Sequence, residues 1–158
     1  MIEILKVQEI VREAAKIFSN RNAAEQIKQK GVFDYVTAID EAVQEFIQKE
    51  LSDLYPQIQF MGEEKDNSDI DMSGQVWVLD PVDGTTNLIH DYQNSAISLA
   101  LIDNSEIILG IIYNPFSDEM FYAEKDKGSF LNGKRIYVSD AEQMKDSLIS
   151  VGTSPYFK

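Results

Sequence analysis

The sequence predicts an α+β fold, a layered α/β sandwich in which two N-terminal helices pack on a largely antiparallel sheet. Three observations predict it. Two stretches within residues 2–54 carry apolar side chains at helical spacing. From residue 58 onward the apolar runs are short and separated by turn signals: Asp103-Asn104, Asn114-Pro115 and Asn132-Gly133. At 158 residues the chain fits one domain and is long enough to bury a hydrophobic core.

The first helix is expected over residues 2–18, where Leu5, Val7, Ile10, Val11, Ala14, Ala15 and Phe18 recur with helical period. Residues 19–33 are polar and lysine-bearing and read as a loop with a short helical start. A second helix is expected over residues 38–54, with Ala42, Val43, Phe46, Ile47, Leu51 and Leu54 as its inward stripe. Thr37 followed by Asp40 has the form of an N-terminal cap, and Pro56 stops the helix from continuing.

The remainder reads as strands. Residues 58–61 form a short apolar run, and the acidic stretch 64–74 reads as a mobile loop. Residues 75–79 form a strand, and 95–102, 106–113 and 119–124 an antiparallel meander. Asn132-Gly133 marks a tight hairpin between 128–131 and 134–138, and 147–151 reads as a last apolar strand.

Composition narrows the function classes. Fourteen basic against twenty-seven acidic side chains give a net charge of -13, which argues against a nucleic-acid partner and is compatible with cation binding. There are no cysteines, so disulfides, zinc-thiolate sites and thiol catalysis are excluded, in keeping with a cytoplasmic setting. The start, Met-Ile-Glu-Ile-Leu-Lys, lacks the pattern of a signal peptide. No run approaches the roughly 18 apolar residues of a membrane span, so no membrane partner is expected.

The chemistry concentrates in Asp80-Pro81-Val82-Asp83-Gly84-Thr85-Thr86-Asn87. Carboxylates at the end of an apolar strand need compensation, because an unpaired buried charge is costly. A hard divalent cation supplies it, and the Gly-Thr-Thr turn beyond offers N–H groups and hydroxyls to a phosphate. Gly62-Glu63-Glu64 comes after another strand, and Asp40 begins the second helix. If the two strands lie side by side, Glu63 comes close to Asp80 and Asp83. Magnesium takes six oxygens in octahedral array, which carboxylates, a backbone carbonyl and waters provide. Taken singly, each element has an ordinary explanation: Asp-Pro-x-Asp-Gly is a common turn, Glu63-Glu64 a solvated pair, Asp40 a helix cap. His90, the sole histidine, reads as a structural hydrogen-bonding group, and Trp77 as core.

Together these motifs resemble the N-terminal half of the inositol monophosphatase family. The resemblance is carried by Asp34-Tyr35-Val36-Thr37-Ala38-Ile39-Asp40, by Gly62-Glu63-Glu64 and by the Asp80–Asn87 segment, in that order and spacing. Gly110-Ile111-Ile112-Tyr113-Asn114-Pro115 and Gly128-Ser129-Phe130-Leu131-Asn132-Gly133 extend it over nearly the whole chain.

The resemblance implies a magnesium-dependent phosphatase and assigns roles. Glu63, Asp80 and the Val82 carbonyl would hold a first Mg2+, and Asp80 with Asp83 a second. Glu63 with Thr85 would orient and deprotonate the attacking water, and Asp40 would accept from the Thr85 hydroxyl. Asp83 and the Gly84 and Thr85 backbone N–H groups would meet the substrate phosphate, with Glu64 supporting from behind. The implied substrate is a small phosphorylated molecule, foremost myo-inositol monophosphate. A sugar bisphosphate, a 3′-phosphoadenosine nucleotide or NADP stand as alternatives. The family's habit implies a homodimer.

The family pattern also has a later Trp-Asp element whose aspartate completes the second metal site. The only tryptophan here is Trp77, inside a strand. Residues 1–158 are therefore expected to be the N-terminal metal- and phosphate-binding domain, without the C-terminal half, and to expose apolar surface near the last strand. The rival from another class is a metal-binding fragment without catalysis.

Overall fold

The computed structural model describes residues 2–31 and 34–150. Its architecture is α+β: helices α1 (Ile4–Ala15) and α3 (Ala38–Leu54) pack together on one face of a seven-stranded sheet. A 3-10 turn (Lys16–Ser19) and the short α2 (Arg21–Ala24) come directly after α1. α1 buries Val7, Ile10, Val11, Ala14 and Ala15, and the 3-10 turn buries Phe18. Leu5, counted into the stripe by sequence, is 70% exposed. Two residues before Val7, it lies some 200° around the helix from that face.

Residues 19–33, read as a loop with a short helical start, contain that start as α2; in place of loop they then form strand β1 (Ile27–Gly31), which pairs antiparallel with β2 (Asp34–Thr37). The strand Ile-Lys-Gln-Lys-Gly has no apolar alternation. Its order comes from ladder hydrogen bonds to β2, which periodicity does not register. Residues 32 and 33 lie outside the described residues.

α3 begins as expected. Thr37 caps it by accepting from the Ile39 N–H at 3.2 Å, and Asp40 answers by accepting the Thr37 N–H at 2.8 Å. Val43, Ile47 and Leu51 are buried, but so is the polar Gln44. Leu54, assigned to the inward stripe, is 44% exposed, because the helix ends there and Tyr55 turns into the core instead.

The large sheet runs in the order β3 (Gln59–Gly62), β4 (Gln75–Asp83), β5 (Ala96–Asp103), β6 (Glu106–Asn114), β7 (Glu119–Glu124), β8 (Gly128–Leu131) and β9 (Lys134–Ile136). Only β3 and β4 are parallel; every later pair is antiparallel, so the meander and the final hairpin are as expected. Trp77, Leu79, Ile97, Leu99, Leu101, Leu109, Ile111 and Met120 face the helices and form the core with them. The acidic stretch 64–74 has no helix or strand, but it is tied down: the Gln59 side chain exchanges two hydrogen bonds with the Asp71 backbone.

The opposite face of the sheet is open. Ile112, Phe121 and Ile136 are 49%, 38% and 37% exposed and border a shallow apolar depression of about 300 Å³. The strand expected at 147–151 is not found: residues 147–150 pair with nothing in the sheet, and Leu148 is fully exposed. A strand exists only where a neighbour offers a ladder, and none is offered there among the described residues. Val151 lies outside them. β9 likewise ends at Ile136, two residues short of the expected Val138.

Candidate functional site

The site lies where β3 ends alongside β4. Their parallel register pairs Gly62 with Leu79, so the next residues, Glu63 and Asp80, emerge together. The Glu63 N–H donates to the Leu79 carbonyl at 3.2 Å and extends the ladder one step. The conditional expectation that the two strands are neighbours is therefore met.

β4 continues beyond the expected end at Leu79 and carries the Asp-Pro-Val-Asp motif within it. Past Leu79 it no longer has β3 beside it, which is why Pro81, lacking an N–H, is tolerated. On the other side Asp80 pairs with Ser98 and Asp83 with Ala96, so β4 holds one residue more than β5 over this span. That bulge re-aims the local side chains. The Val82 N–H turns back to Asp80 Oδ1 at 3.1 Å.

Gly84 comes next, with φ 88°, and caps α4 (Thr85–Ile89). The left-handed conformation and a tight neighbour both require glycine: an added Cβ would stand 3.1 Å from the Asn94 carbonyl oxygen. Ser95, 2% exposed, donates its hydroxyl to the Gly84 carbonyl at 2.8 Å, and the Asn87 amide donates to the Asn94 carbonyl at 2.8 Å. Together with Asp83 and Asn114 they line a polar cleft of about 230 Å³.

Asp40 is 2% exposed and accepts three donors: the Thr37 N–H at 2.8 Å, the Thr37 hydroxyl at 2.6 Å and the Thr85 hydroxyl at 3.1 Å. Those donors, with the positive end of α3, make a buried carboxylate tolerable. The Thr85 hydroxyl has a second acceptor in the Val82 carbonyl at 3.0 Å, and its single proton serves one of the two at a time. Thr85 thereby links the end of β4 to the start of α3.

Asp80 has the opposite surroundings. Burial, then the charges of Glu63 and Asp83, then a hydrogen bond with the Glu63 side chain push it up to about 7 from 3.8; the Val82 N–H offsets this only in part. Glu63 and Asp83 themselves are exposed. Among the described residues no three acidic or histidine side chains close around one point as a finished ion cage. The structure thus brings Glu63 onto Asp80, sets Asp83 within electrostatic reach, and joins Asp40, Thr85 and the Val82 carbonyl. The donor chemistry fits a hard cation. It consists of oxygens only, and the central carboxylate is pushed up to about 7 by burial first and then by like charges that a cation would relieve.

Glu64 is half-buried, and its N–H donates to Gln44 Oε1 at 2.9 Å. His90 is exposed, its backbone N–H on the Thr86 carbonyl. Trp77, 1% exposed, is core and packs its ring 6.0 Å from Tyr55. Three residues that shape the site escape a reading by sequence: Gln44, Asn67 and Ser95. Asn67 holds Gly62 from outside, its amide donating to the Gly62 carbonyl at 2.7 Å. Gln44 alone left a signal, as a polar residue one turn after Asp40 on the inward face of a helix.

The sequence model described as the Inositol monophosphatase family matches residues 2–156. An inositol monophosphatase of Dictyostelium discoideum is 42% identical over 146 residues, 90% of this chain and 54% of that protein. A Thermotoga maritima protein named fructose-1,6-bisphosphatase/inositol-1-monophosphatase is 36% identical over 126 residues, 80% of this chain and 48% of its own. Among solved structures, the extragenic suppressor protein suhB of Bartonella henselae aligns with TM-score 0.79 and 33% identity, covering 87% of this chain and 55% of that one. The chain spans about half the length of the relatives it matches.

Proposed function

This chain belongs to the inositol monophosphatase family, and from that premise we propose that it forms the metal- and phosphate-binding domain of a magnesium-dependent phosphomonoesterase. The observation that carries the reading is the parallel register of β3 and β4, which brings Glu63 out beside Asp80, three residues before Asp83, with the Val82 N–H turned back onto Asp80.

Glu63, Asp80, Asp83 and the Val82 carbonyl would hold the cations. When bound, Mg2+ supplies positive charge that lowers the pKa of a coordinated water and offsets the negative phosphoryl group. Thr85, by donating to Asp40, turns an oxygen lone pair outward and can fix the orientation of the attacking water. Glu63, exposed and next to Asp80, would accept the water's proton. The N–H groups of Gly84 and Thr85 would take phosphate oxygens, with no side chain at residue 84 to keep the phosphate away. Asp83 and the polar cleft beyond it would face the remainder of the substrate.

Inositol monophosphate is the substrate that the named relatives favour, and a sugar bisphosphate is the second reading, favoured by the dual name of the Thermotoga maritima relative. A cytoplasmic homodimer is in keeping with the cysteine-free composition and the family's habit. No helix among the described residues is long and apolar enough to cross a membrane.

Phosphate release from a panel of monoesters tests the proposal. Turnover is expected with magnesium, none with EDTA, and a loss of at least about a hundredfold in Asp80→Asn. Undiminished turnover in EDTA would refute the mechanism. Magnesium binding without any hydrolysis would establish the non-catalytic alternative.

A further inference from the structure

We infer that Gln44 is the positioning residue for Glu63, and that α3 acts as a ruler setting the distance between the two halves of the site. The inference rests on the function proposed above. Glu63 is exposed, so its side chain takes its starting direction from the backbone on either side. On one side, its own N–H is held by the Leu79 carbonyl at 3.2 Å. On the other, the N–H of Glu64 is held by Gln44 Oε1 at 2.9 Å.

Gln44 is itself enclosed: it is 6% exposed and lies against Gly62 so closely that a Cβ there would collide with its amide. The glycine of Gly-Glu-Glu is thus explained by helix-to-strand contact. Asp40 and Gln44 are four residues apart and so share one face of the helix. The first reaches Thr85 and the second reaches the Glu63-Glu64 peptide. One rigid element therefore grips both segments that carry the site, and a ligand held about half an ångström out of place loses much of its value.

Gln44→Met keeps the length of the side chain and removes the acceptor; Gln44→Glu keeps the acceptor. Two measurements decide, amide hydrogen exchange at Glu64 and Mg2+ affinity by calorimetry. Gln44→Met is expected to speed exchange at Glu64 at least about tenfold relative to core amides and to weaken Mg2+ binding about tenfold or more. Gln44→Glu is expected to retain the protection and bind Mg2+ at least as tightly as the parent. A purely structural role would move all amides together and would not be rescued by the acid. Parent-like exchange at Glu64, or parent-like Mg2+ affinity, in Gln44→Met overturns the inference. A parent protein that binds no Mg2+ refutes the proposed function instead, and the exchange arm then still decides whether Gln44 holds the turn.

Discussion

Asp40 and Asp80 belong to one site, yet their surroundings differ in sign. Asp40 is buried among donors: two hydroxyls and a backbone N–H converge on it. Asp80 is crowded by acceptors, Glu63 and Asp83, with the Val82 N–H in partial compensation. The first carboxylate is complete within the protein and stabilises the fold as it stands. The second destabilises the fold when ionised, and it makes chemical sense only with a partner of opposite charge. A buried acid is informative about function through what neutralises it, since burial alone occurs in both cases.

The contrast is sharpest in Asp80→Asn. Besides removing a cation ligand, this change takes a charge out of a repelling cluster. The metal-free variant is therefore expected to be more stable than the parent at pH 8, and magnesium is expected to stabilise the parent alone. The parent's pH profile carries the same sign. The Asp80 pKa is raised from 3.8 to about 7 in the folded state, so the proton is held more tightly there than in the unfolded chain. In EDTA, the contribution of Asp80 to stability is then greatest below about pH 4, falls as pH rises to about 7, and levels off above it. Thermal unfolding of both proteins from pH 4 to 8 checks this, because the difference between the curves isolates residue 80. A variant that is less stable at pH 8, or parallel curves, would break the comparison.

Asp40→Ala is the converse. It strips an acceptor from two buried donors of Thr37 and from the half-buried Thr85 hydroxyl, and removes half of the α3 capping box, for an expected loss of about 2–3 kcal/mol. The loss should persist across pH 6–8, with or without magnesium, in denaturant titrations. A strong magnesium dependence of that loss would mean that Asp40 belongs with the cation ligands.

Thr85→Ala probes the bridge between the two regions. Its hydroxyl serves Asp40 or the Val82 carbonyl, both of which retain other roles. Hydrolysis is expected to slow about ten- to a hundredfold, as for loss of one water-orienting group, with Mg2+ affinity within about threefold of the parent. Steady-state kinetics alongside calorimetry separates the two effects, and an equal loss in both would move Thr85 among the ligands.

Much of this was legible in the sequence. The helical stripes of α1 and α3, the Thr37–Asp40 cap, the hairpin turns and the meander are local patterns, written in residues within a few positions of each other. The carboxylates of the motif were conspicuous for the same reason, standing at the end of an apolar run beside glycine. The pairing of β1 with β2 was not legible, since a lysine-bearing strand shows no face. The continuation of β4 through Pro81 depended on where its neighbour stopped. The segment 147–150 has strand composition without a strand, because composition states a preference that only a partner can satisfy.

By itself, then, the sequence determined which residue types are available, which elements they form, and that acids and a glycine-threonine turn occur together. Tertiary structure decided that β3 runs parallel beside β4, which is what sets Glu63 against Asp80. It also decided that Gln44, Asn67 and Ser95 hold the backbone around the site. The physical reason is one of range. Helix periodicity, caps and tight turns are set by interactions across a few residues, whereas the charge on Asp80 and the direction of Glu63 arise from groups brought close only by folding.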